Sequence, residues 1–426
     1  MRWAYTLLLY LGLPLVLLRL WRRGRKNPAY RRRWQERFGR GLPPAERRRL
    51  WVHAVSVGEV IAAVPLIERL LARYPEHQLL VTTTTPTGSD EVRRRFGDRV
   101  AHVHLPFDLP GAVGRFLGRA RPELGVIMET EIWPNLFRRA RRQGVPLMLV
   151  NARLSPRSYR GYHRIRPFVR QVLADVAWIA AQGGPDAGRF RSLGAPAERV
   201  EACGNLKFDL ELPAGTEQEG AALRDRLGAS RPVWIAASTH EGEEAQVLQA
   251  HKALRQTHPE ALLILVPRHP ERFEDVARLC REQGLGLARR SRDELPAADD
   301  PVYLGDTMGE LPLLYAAADI AFVGGSLVGT GGHNPLEPAA VGVPVITGPH
   351  YFNFAGIYPA LLEAGGAVEV ADSADLAEGL EAWFANEPRR REAGEAARTV
   401  VEANRGTLDR LMGKIAAEMG DREAGQ

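Results

Sequence analysis

Short apolar segments alternate with helical patterns along most of the chain after Leu50. The first group of apolar segments comprises LWVHAVSV, QLLVTTTT, LGVIMETEIW and PLMLVNARL. Helical patterns such as VIAAVPLIERLLARY and NLFRRARRQG lie between them. Strands that alternate with helices usually pair in parallel, so this order predicts a parallel sheet covered by helices.

The same alternation begins again after a polar stretch at residues 212–231. The second group of apolar segments comprises PVWIAAST, ALLILVPR, VYLGD, IAFVGGS and PVITG. The predicted fold class is therefore α/β, with two Rossmann-like doubly wound domains that face a cleft. The predicted division is 1–40 for an N-terminal segment, 41–211 for the first domain, and 212–426 for the second domain with its terminal helices. Ligands of such sheets bind beyond the carboxyl ends of the strands, so the residues after each strand are candidates for chemistry.

The N-terminal segment has the length and composition of a membrane anchor. Residues 3–18 carry no charge, and three further residues give a helix of about 28 Å, which just spans a bilayer core. Residues 19–40 contain ten Lys or Arg against one acid, Glu36, and such a positive flank stays on the cytoplasmic side. A helix that lies in the membrane interface remains an alternative, because the run is short and contains Pro14. Both alternatives place the protein at the membrane.

Composition and charge narrow the possible partners. The chain has 426 residues, 45% of them hydrophobic and 25% charged, which is typical of folded globular domains. Cys203 and Cys280 are far apart and have no neighbouring Cys or His at ligand spacing, so the pattern favours a reducing compartment over a disulfide or zinc site. The net charge of +6 favours acidic partners such as phosphate, anionic lipid or nucleic acid.

A second basic region runs from Ile132 to Ala174. It contains ten arginines and no acidic residue. This composition suits a phosphorylated or membrane-borne acceptor, but it also suits a solvated surface, and the charge run alone does not decide between them.

Glu59 is a candidate general base. It follows the first predicted strand at a junction with a helix, where a carboxylate could accept a proton from a substrate. Ser56 and Glu59 also have the S-x-x-E spacing of a capping box, in which both side chains bind backbone N–H groups. The two roles conflict only when Glu59 must leave the cap to accept a proton.

A glycine-rich loop, GGSLVGTGGHNPLE at residues 324–337, joins an apolar strand to a helix. Glycines let a backbone approach a phosphate, and the next helix offers free N–H groups, so the loop predicts an anion or nucleotide site. The glycines do not follow the G-x-G-x-x-G register, so the loop does not predict NAD binding. Asn334 as N-cap, Pro335 at the first helical position and Glu337 at the third also make an ordinary helix start.

Other charged residues lie at strand ends. Arg268 follows ALLILVP and could bind a phosphate or carboxylate with both guanidinium nitrogens. Glu129 and Glu131 end the strand LGVIMETE, and Lys207 lies in GNLKFD near the predicted domain boundary. Charged residues at such positions are often only solvated. The sequence contains no Asp-x-Asp, so it does not predict a metal held by that pair.

Seven strings in order resemble the transferases of Kdo, 3-deoxy-D-manno-oct-2-ulosonic acid, over nearly the whole chain. The strings are HAVSVGE, METEIWPN, NARLS, GNLKFD, VPRHPERF, GDTMGEL, and GGHNPLEPAA with GPHYFNF. The resemblance implies a two-domain GT-B fold and inverting transfer of Kdo from CMP-Kdo to lipid IVA, a lipid A precursor, in lipopolysaccharide biosynthesis. It also implies action at the cytoplasmic side of the inner membrane, without cofactor, metal or nucleic acid.

The resemblance also assigns roles to residues. Glu59 is implied as the base that deprotonates the acceptor hydroxyl, and Glu129 and Lys207 as supports of the transition state. The implied CMP site consists of Pro267, Arg268, Met308, Gly309, Glu310, Asn334, Pro335, Leu336 and Glu337. A sugar-nucleotide epimerase of the same architecture is the alternative enzyme, although it has no need of an anchor. A non-catalytic nucleotide sensor at the membrane is the alternative outside enzymes.

Overall fold

The structure, a computed structural model, describes residues 1–420 and divides the chain into two compact units. Unit 1 begins at Met1 and ends at Asp209, and it also includes the chain from Arg405 onward. Unit 2 is Leu210–Asn404. The division differs from the prediction at the C-terminus, since the end of the chain does not belong to the second unit. Residues 421–426 of the predicted second domain lie outside the described part of the chain.

Unit 1 is built on a parallel sheet of seven strands with helices around it. The strands are β1 Arg49–His53, β2 Gln78–Thr83, β3 Ala101–His104, β4 Pro122–Met128, β5 Leu147–Ala152, β6 Trp178–Ala181 and β7 Val200–Ala202. The helices before unit 2 are α1 Arg2–Lys26, α2 Val57–Arg73, α3 Pro86–Phe96, α4 Pro110–Ala120, α5 Pro134–Arg142, α6 Pro156–His163, α7 Arg166–Leu173 and α8 Gly184–Ser192. The strand order is β3-β2-β1-β4-β5-β6-β7.

Strand β1 lies inside this sheet, between β2 and β4, and every residue in it is buried. Trp51 belongs to the hydrophobic cluster on one face, and Leu50 and Val52 belong to the cluster on the other face. The Trp51 indole N–H donates to Thr82 Oγ1 of β2 at 2.9 Å, so its polar edge is satisfied inside the core. This inner strand fixes where the chain leaves the sheet before Ser56.

Unit 2 contains a second parallel sheet of seven strands. The strands are β8 Val233–Thr239, β9 Leu262–Pro267, β10 Leu287–Arg289, β11 Val302–Leu304, β12 Ile320–Val323, β13 Val345–Thr347 and β14 Ala367–Glu369. The helices are α9 Thr216–Gly228, α10 Glu243–Leu254, α11 Phe273–Glu282, α12 Leu311–Ala316, α13 Leu336–Ala340, α14 Tyr358–Glu363, α15 Ser373–Phe384 and α16 Glu387–Ala403. The strand order is β10-β11-β9-β8-β12-β13-β14. The predicted α/β class with two doubly wound parallel sheets is confirmed.

The last helix, α17 (Thr407–Met419), completes unit 1. Its apolar face enters the cluster that covers one side of the unit 1 sheet, with Leu411 and Ile415 fully buried there. The Asp209 carboxylate accepts from the N–H groups of Gly406 and Leu408 at 2.6 and 2.7 Å. These contacts explain the difference from the predicted boundary, because an amphipathic pattern does not specify which sheet a helix covers.

Helix α1 has the length and composition needed to cross a membrane. None of the apolar window that defines it is buried in the protein. Trp3 is 89% exposed and Leu15 is 71% exposed. The structure thus agrees with a membrane-associated helix, as the sequence predicts.

Candidate active site

The chain reverses its winding direction between β1 and β4, which are neighbours in the unit 1 sheet. The loops after these two strands therefore separate at the carboxyl edge, which is where doubly wound sheets bind ligands. Glu59 follows β1, while Glu129 and Glu131 follow β4. Three carboxyl groups thus gather at the switch point of this sheet.

Glu59 forms the capping box that its spacing predicts. Ser56 Oγ accepts from the Glu59 N–H at 3.5 Å and donates to Glu59 Oε1 at 3.2 Å. Glu59 Oε2 accepts from the N–H of Val55 at 2.8 Å. The cap fixes the carboxylate at the start of α2 without removing it from the switch point.

Two carboxyl groups at this site titrate near neutral pH. Burial raises the pKa of Glu59 to about 7, and the negative charges of Glu129 and Glu131 add to that rise, against hydrogen bonds from Val55 and Ser56. Burial also raises the pKa of Glu131 to about 7, with a further contribution from Glu129. A carboxyl group with such a pKa can exchange a proton near physiological pH.

Glu129 has a backbone conformation that is rare outside glycine. Its φ is 56°, in the left-handed region, directly after the last residue of β4. The predicted strand through LGVIMETE is therefore too long, because β4 ends at Met128. Strain of this kind is found disproportionately at functional sites.

Lys207 lies close to Glu129. Burial lowers the pKa of Lys207, and the charge of Glu129 opposes this shift. Asn151 is the last residue but one of β5 and has φ 53°. Its Oδ1 accepts from the Leu206 N–H at 3.1 Å. Asn151 thereby holds the segment that carries Lys207. Asn151 was not among the predicted site residues, although it begins NARLS, one of the strings that carry the family resemblance.

In unit 2 the winding direction changes between β8 and β12. The glycine-rich loop follows β12 at this switch point. Gly324 has to be glycine, since a Cβ there would lie 2.7 Å from the carbonyl oxygen of Ser238. The loop thus passes close to the end of β8.

The beginning of this loop is held by a buried carboxylate. Glu243 accepts from the N–H groups of Gly325, Ser326 and Leu327 at 2.6, 3.0 and 2.9 Å. It also accepts from the His240 N–H at 3.0 Å. These three loop N–H groups are consequently not free for a ligand, which narrows the predicted anion site to the later part of the loop. Glu243 was not among the predicted site residues, because it lies 82 residues before Gly325 and no sequence pattern links it to the loop.

Arg268 belongs to a cluster with two histidines. His240 Nε2 and His333 Nε2 lie 2.8 Å apart, and the planes of the two rings are parallel within 1°. Burial lowers the pKa of His333 to about 3, with the positive charge of Arg268 as the next cause. Burial also lowers the pKa of His240, and the charge of Arg268 contributes. Both imidazoles are therefore neutral at pH 7, and the positive charge of this cluster resides on Arg268.

The helix after the loop begins one residue later than predicted. Pro335 is the N-cap of α13, whereas the prediction made Asn334 the N-cap and Pro335 the first helical residue. Asn334 still acts in the cap, because its Oδ1 accepts from the Leu336 N–H and its Nδ2 donates to Glu337, both at 3.2 Å. Burial raises the pKa of Glu337, while Asn334 and Arg268 oppose that shift. Helix α13 has only five residues, so its dipole is small. An anion at this site would therefore depend more on the charge of Arg268 than on the helix.

The remaining predicted residues lie at ends of neighbouring strands. Pro267 ends β9, and the Arg268 N–H donates to the carbonyl of Thr239 at 3.0 Å. The loop after β11 carries Met308, which is 63% exposed, and the segment continues through Gly309 to Glu310. The Glu310 carboxylate is bound by Arg290 at 2.7 Å. Strand β11 pairs with β9, so this loop and Arg268 share one part of the sheet edge.

Thus each unit collects part of the predicted set. Glu59, Glu129 and Lys207 come together in unit 1, and Arg268, Asn334 and Glu337 come together in unit 2. Within residues 1–420, no group of three or more His, Cys, Asp or Glu side chains is arranged to hold a metal ion.

Comparison with known families gives two matches along the chain. Residues 32–210 match the family described as 3-deoxy-D-manno-octulosonic-acid transferase (kdotransferase). Residues 237–400 match the family described as glycosyl transferases group 1. The two matches fall on unit 1 and unit 2 respectively.

Named relatives match nearly the whole chain. The 3-deoxy-D-manno-octulosonic acid transferase of Haemophilus influenzae is 44% identical over 96% of this chain and 97% of its own length. The enzyme of the same name from Bordetella pertussis is 41% identical, over 96% of this chain and 98% of its own length. Among solved structures, UDP-GlcNAc 2-epimerase from Neisseria meningitidis bound to UDP-GlcNAc matches with a TM-score of 0.56 over 87% of this chain and 100% of its own. It is only 13% identical, so it shows a shared two-domain fold.

Proposed function

The chain belongs to the 3-deoxy-D-manno-octulosonic acid (Kdo) transferase family, and we propose that it catalyses inverting transfer of Kdo from CMP-Kdo to lipid IVA in lipopolysaccharide biosynthesis. The position and the basicity of Glu59 support this mechanism most directly. Its carboxyl group lies at the switch point of the unit 1 sheet, and burial raises its pKa to about 7. The reaction needs one base and one displacement, and it uses no metal or cofactor.

Glu59 acts as the general base. Its carboxylate takes the proton of the acceptor hydroxyl while the hydroxyl oxygen attacks the anomeric carbon of Kdo. The bond from that carbon to the CMP phosphate oxygen breaks, and its electron pair stays on the phosphate. Attack opposite the leaving group inverts the anomeric configuration. The raised pKa of Glu59 supports this role, because a base is most effective when its pKa is near the working pH.

Glu129 and Lys207 support the transition state beside Glu59. Electron deficiency develops at the anomeric carbon as CMP leaves, and the Glu129 carboxylate stabilises it. The Lys207 ammonium is held near Glu129 by the segment that Asn151 anchors, and it orients the acceptor or the Kdo carboxylate. The charges of both groups influence each other within unit 1, which supports a joint role.

Unit 2 binds the donor. CMP leaves with a second negative charge on its phosphate, and Arg268 stabilises that charge as it grows. Asn334, Pro335, Leu336 and Glu337 line the CMP site after the glycine-rich loop, while Pro267, Met308, Gly309 and Glu310 complete it from the neighbouring strand ends. The loop contributes the N–H groups after Leu327, because Glu243 already binds the earlier ones.

The acceptor is a phosphorylated lipid, and several features of unit 1 suit it. Exposed arginines on and around α6 give positive charge, including Arg157 and Arg164. The exposed apolar helix α1 keeps the protein at the inner membrane, where the lipid lies, with the catalytic units on the cytoplasmic side.

The test is turnover by the purified full-length protein with CMP-Kdo and detergent-dispersed lipid IVA. We expect release of CMP together with a lipid product whose mass has increased by one or more Kdo residues. CMP release without a glycosylated lipid, or no turnover with a folded protein, would contradict the proposal. The same assay separates a transferase from a sugar-nucleotide epimerase, which converts its donor without an acceptor. It also separates a transferase from a sensor that binds CMP-Kdo without turnover.

A further inference from the structure

The first turn of α1 is docked on unit 1 by buried polar groups. Arg2 pairs with Asp175 at 3.1 Å, and the Asp175 side chain is only 2% exposed. The Tyr5 hydroxyl donates to the buried Asp108 carboxylate at 3.0 Å. The Thr6 hydroxyl exchanges hydrogen bonds with the side chain of Asn135 at 3.1 and 3.3 Å. The beginning of the helix is therefore fixed to the body of the protein.

The chain after α1 is also bound to unit 1. Arg33 donates to the carbonyl oxygen of His102 at 2.9 Å. Glu36 accepts from the His104 N–H at 2.8 Å, and Arg37, which is 5% exposed, donates to the carbonyl oxygen of Thr84 at 3.0 Å. The chain on both sides of α1 is thus held by one folded unit.

These attachments decide how α1 can enter a membrane. A helix of 25 residues is about 37 Å long, which is enough to cross a hydrocarbon core of about 30 Å. Crossing would place Arg2 and the basic segment after α1 on opposite sides of the bilayer, and one of the two attachments would have to break. With both attachments intact, α1 can only lie within one leaflet.

A pocket of about 290 Å³ lies beside the docked first turn. It is lined by Arg2, Trp3, Asn135 and three arginines of α5, which are Arg138, Arg139 and Arg142. Arg2 and Arg138 contact Asp175. Within residues 1–420, the guanidinium groups of Arg139 and Arg142 make no hydrogen bond or ion pair. The pocket therefore has positive charge in excess.

The residues that line the pocket are suited to bind a phosphate group at a lipid surface. Arginine binds phosphate oxygens with two parallel N–H donors, and it does so better than lysine. Trp3 is 89% exposed at the pocket, and tryptophan is enriched at the level of lipid headgroups. The apolar side chains Leu7 and Leu11 continue along α1 with 60% and 66% exposure, and insertion among acyl chains would remove their apolar surface from water.

We propose that this arginine pocket binds the phosphate of a lipid headgroup, and that α1 lies in the leaflet from which the headgroup comes instead of crossing the bilayer. The phosphate is either that of an anionic phospholipid or one carried by a phosphorylated lipid acceptor. The residues that line the pocket include neither Glu59 nor any residue of the proposed CMP site. Binding to the pocket can therefore be measured without turnover, and a failure of the proposed transferase activity would leave that measurement valid.

The first experiment measures binding of the full-length protein to phosphatidylcholine vesicles with and without phosphatidylglycerol. The test variant is Arg139→Gln with Arg142→Gln. The matched control is Arg226→Gln with Arg281→Gln, which removes the same charge from exposed positions on helices of unit 2. We expect phosphatidylglycerol to increase binding, and the test variant to lose about tenfold or more of that increase. The control should stay within about twofold of the parent protein.

The second experiment identifies the source of the phosphate by steady-state kinetics in detergent. If the pocket holds an acceptor phosphate, the test variant raises KM for a bisphosphorylated acceptor, and the increase disappears for an analogue that lacks one phosphate. If the pocket holds a phospholipid, KM stays unchanged and only vesicle binding falls. The proposed phosphate site would be overturned if the test variant behaved like the parent protein in both experiments, or if the control variant lost as much vesicle binding as the test variant.

The third experiment tests the position of α1. A cysteine in a short hydrophilic tag before Met1 is labelled with a membrane-impermeant maleimide, and Ser230→Cys on exposed unit 2 surface serves as the marker of the body. Cys203 and Cys280 are 1% and 0% exposed, so they give little background. We expect both introduced cysteines to react from the same side of the membrane. Reaction from opposite sides would show that α1 crosses the bilayer and would overturn the proposal.

Discussion

At the residue scale, Glu59 combines two roles that its sequence spacing left open. The carboxylate caps α2 through Val55 and Ser56, and burial with two further carboxyl groups raises its pKa to about 7. A cap alone does not need a raised pKa. Capping fixes the position of the carboxylate, whereas burial sets its basicity, so the two roles act together.

Glu59→Gln separates these roles. A glutamine is accepted at this position of a capping box, so we expect a folded protein with little loss of stability and normal CMP binding. An amide cannot accept the hydroxyl proton, so kcat should fall by about a hundred- to ten-thousandfold. Circular dichroism, CMP titration and product formation measure the three outcomes. Turnover close to the parent rate would leave Glu59 as a cap only and make Glu129 the next candidate base.

The pH dependence of the reaction follows from the same group. The base works only when it is deprotonated, so kcat/KM should rise as the pH increases through about 7 and should be lost below it. The charge of Glu131 contributes to the raised pKa of Glu59. Glu131→Gln should therefore move this limb of the profile to lower pH. A rate that does not change between pH 6 and 8 would argue against a base of this pKa.

Arg268→Ala tests the donor site. Arg268 is the charged member of the cluster with His240 and His333, whose imidazoles are neutral. Losing a charge-assisted contact costs about 1.5 to 3 kcal/mol, so we expect CMP-Kdo to bind roughly ten- to more than a hundredfold more weakly. Acceptor binding should change much less. An unchanged affinity for CMP in calorimetry would remove Arg268 from the site.

At the scale of elements, strand length alone does not separate the strands that the sequence predicted from those that it missed. The predicted apolar segments overlap β1, β2, β4, β5, β8, β9 and β12, and also the fully buried three-residue strands β11 and β13. Strands β7, β10 and β14 also have three residues each, but each of them has at least one residue that is not buried, so no continuous apolar run marks them. The prediction of the glycine-rich loop was correct in position, but not in how the loop is held, because Glu243 joins it from a distant part of the chain.

Glu243→Gln tests how this loop is held. The carboxylate accepts from four N–H groups, and an amide NH2 in its place would face donors instead of acceptors. We expect unfolding of unit 2 to become easier by about 2 to 5 kcal/mol and CMP binding to weaken, as measured by denaturant titration and calorimetry. Glu241→Gln is the control, since the Glu241 side chain is 91% exposed. Equal stability of the two variants would show that Glu243 does not hold the loop.

At the scale of the whole molecule, the sequence predicted a membrane anchor separate from the first domain, whereas in the structure the beginning of α1 is bound to unit 1. The sequence predicted a helix that confers membrane association but takes no part in the chemistry, in an N-terminal segment, 1–40, that is separate from both domains. In the structure, the first turn of α1 contributes Tyr5 to a hydrophobic cluster of unit 1 and Arg2 to the buried Asp175. The contacts could not be predicted, because Asp108 lies 103 residues after Tyr5 and Asp175 lies 173 residues after Arg2 in the sequence.

Deleting residues 3–21 tests what α1 adds to the whole protein. Asp175 keeps Arg138 and Arg141 without the helix, and Asp108 keeps two backbone N–H donors at the start of α5. We therefore expect unit 1 to fold, with a loss of about 1 to 3 kcal/mol in its free energy of unfolding. Turnover of detergent-dispersed acceptor should remain largely intact, while binding to membranes should be lost.

A second variant separates docking of α1 from its contact with lipid. Replacing Leu7, Leu11 and Leu15 by serine changes side chains that are 60%, 66% and 71% exposed, and it leaves the docked first turn in place. This variant should lose membrane binding as the deletion does, because its exposed apolar surface is gone, but it should keep the stability of the parent protein in detergent. Flotation with vesicles and denaturant titration measure the two properties. If the serine variant were as unstable as the deletion, the exposed leucines would pack within the protein, and α1 would be part of the core of unit 1 and not a membrane helix.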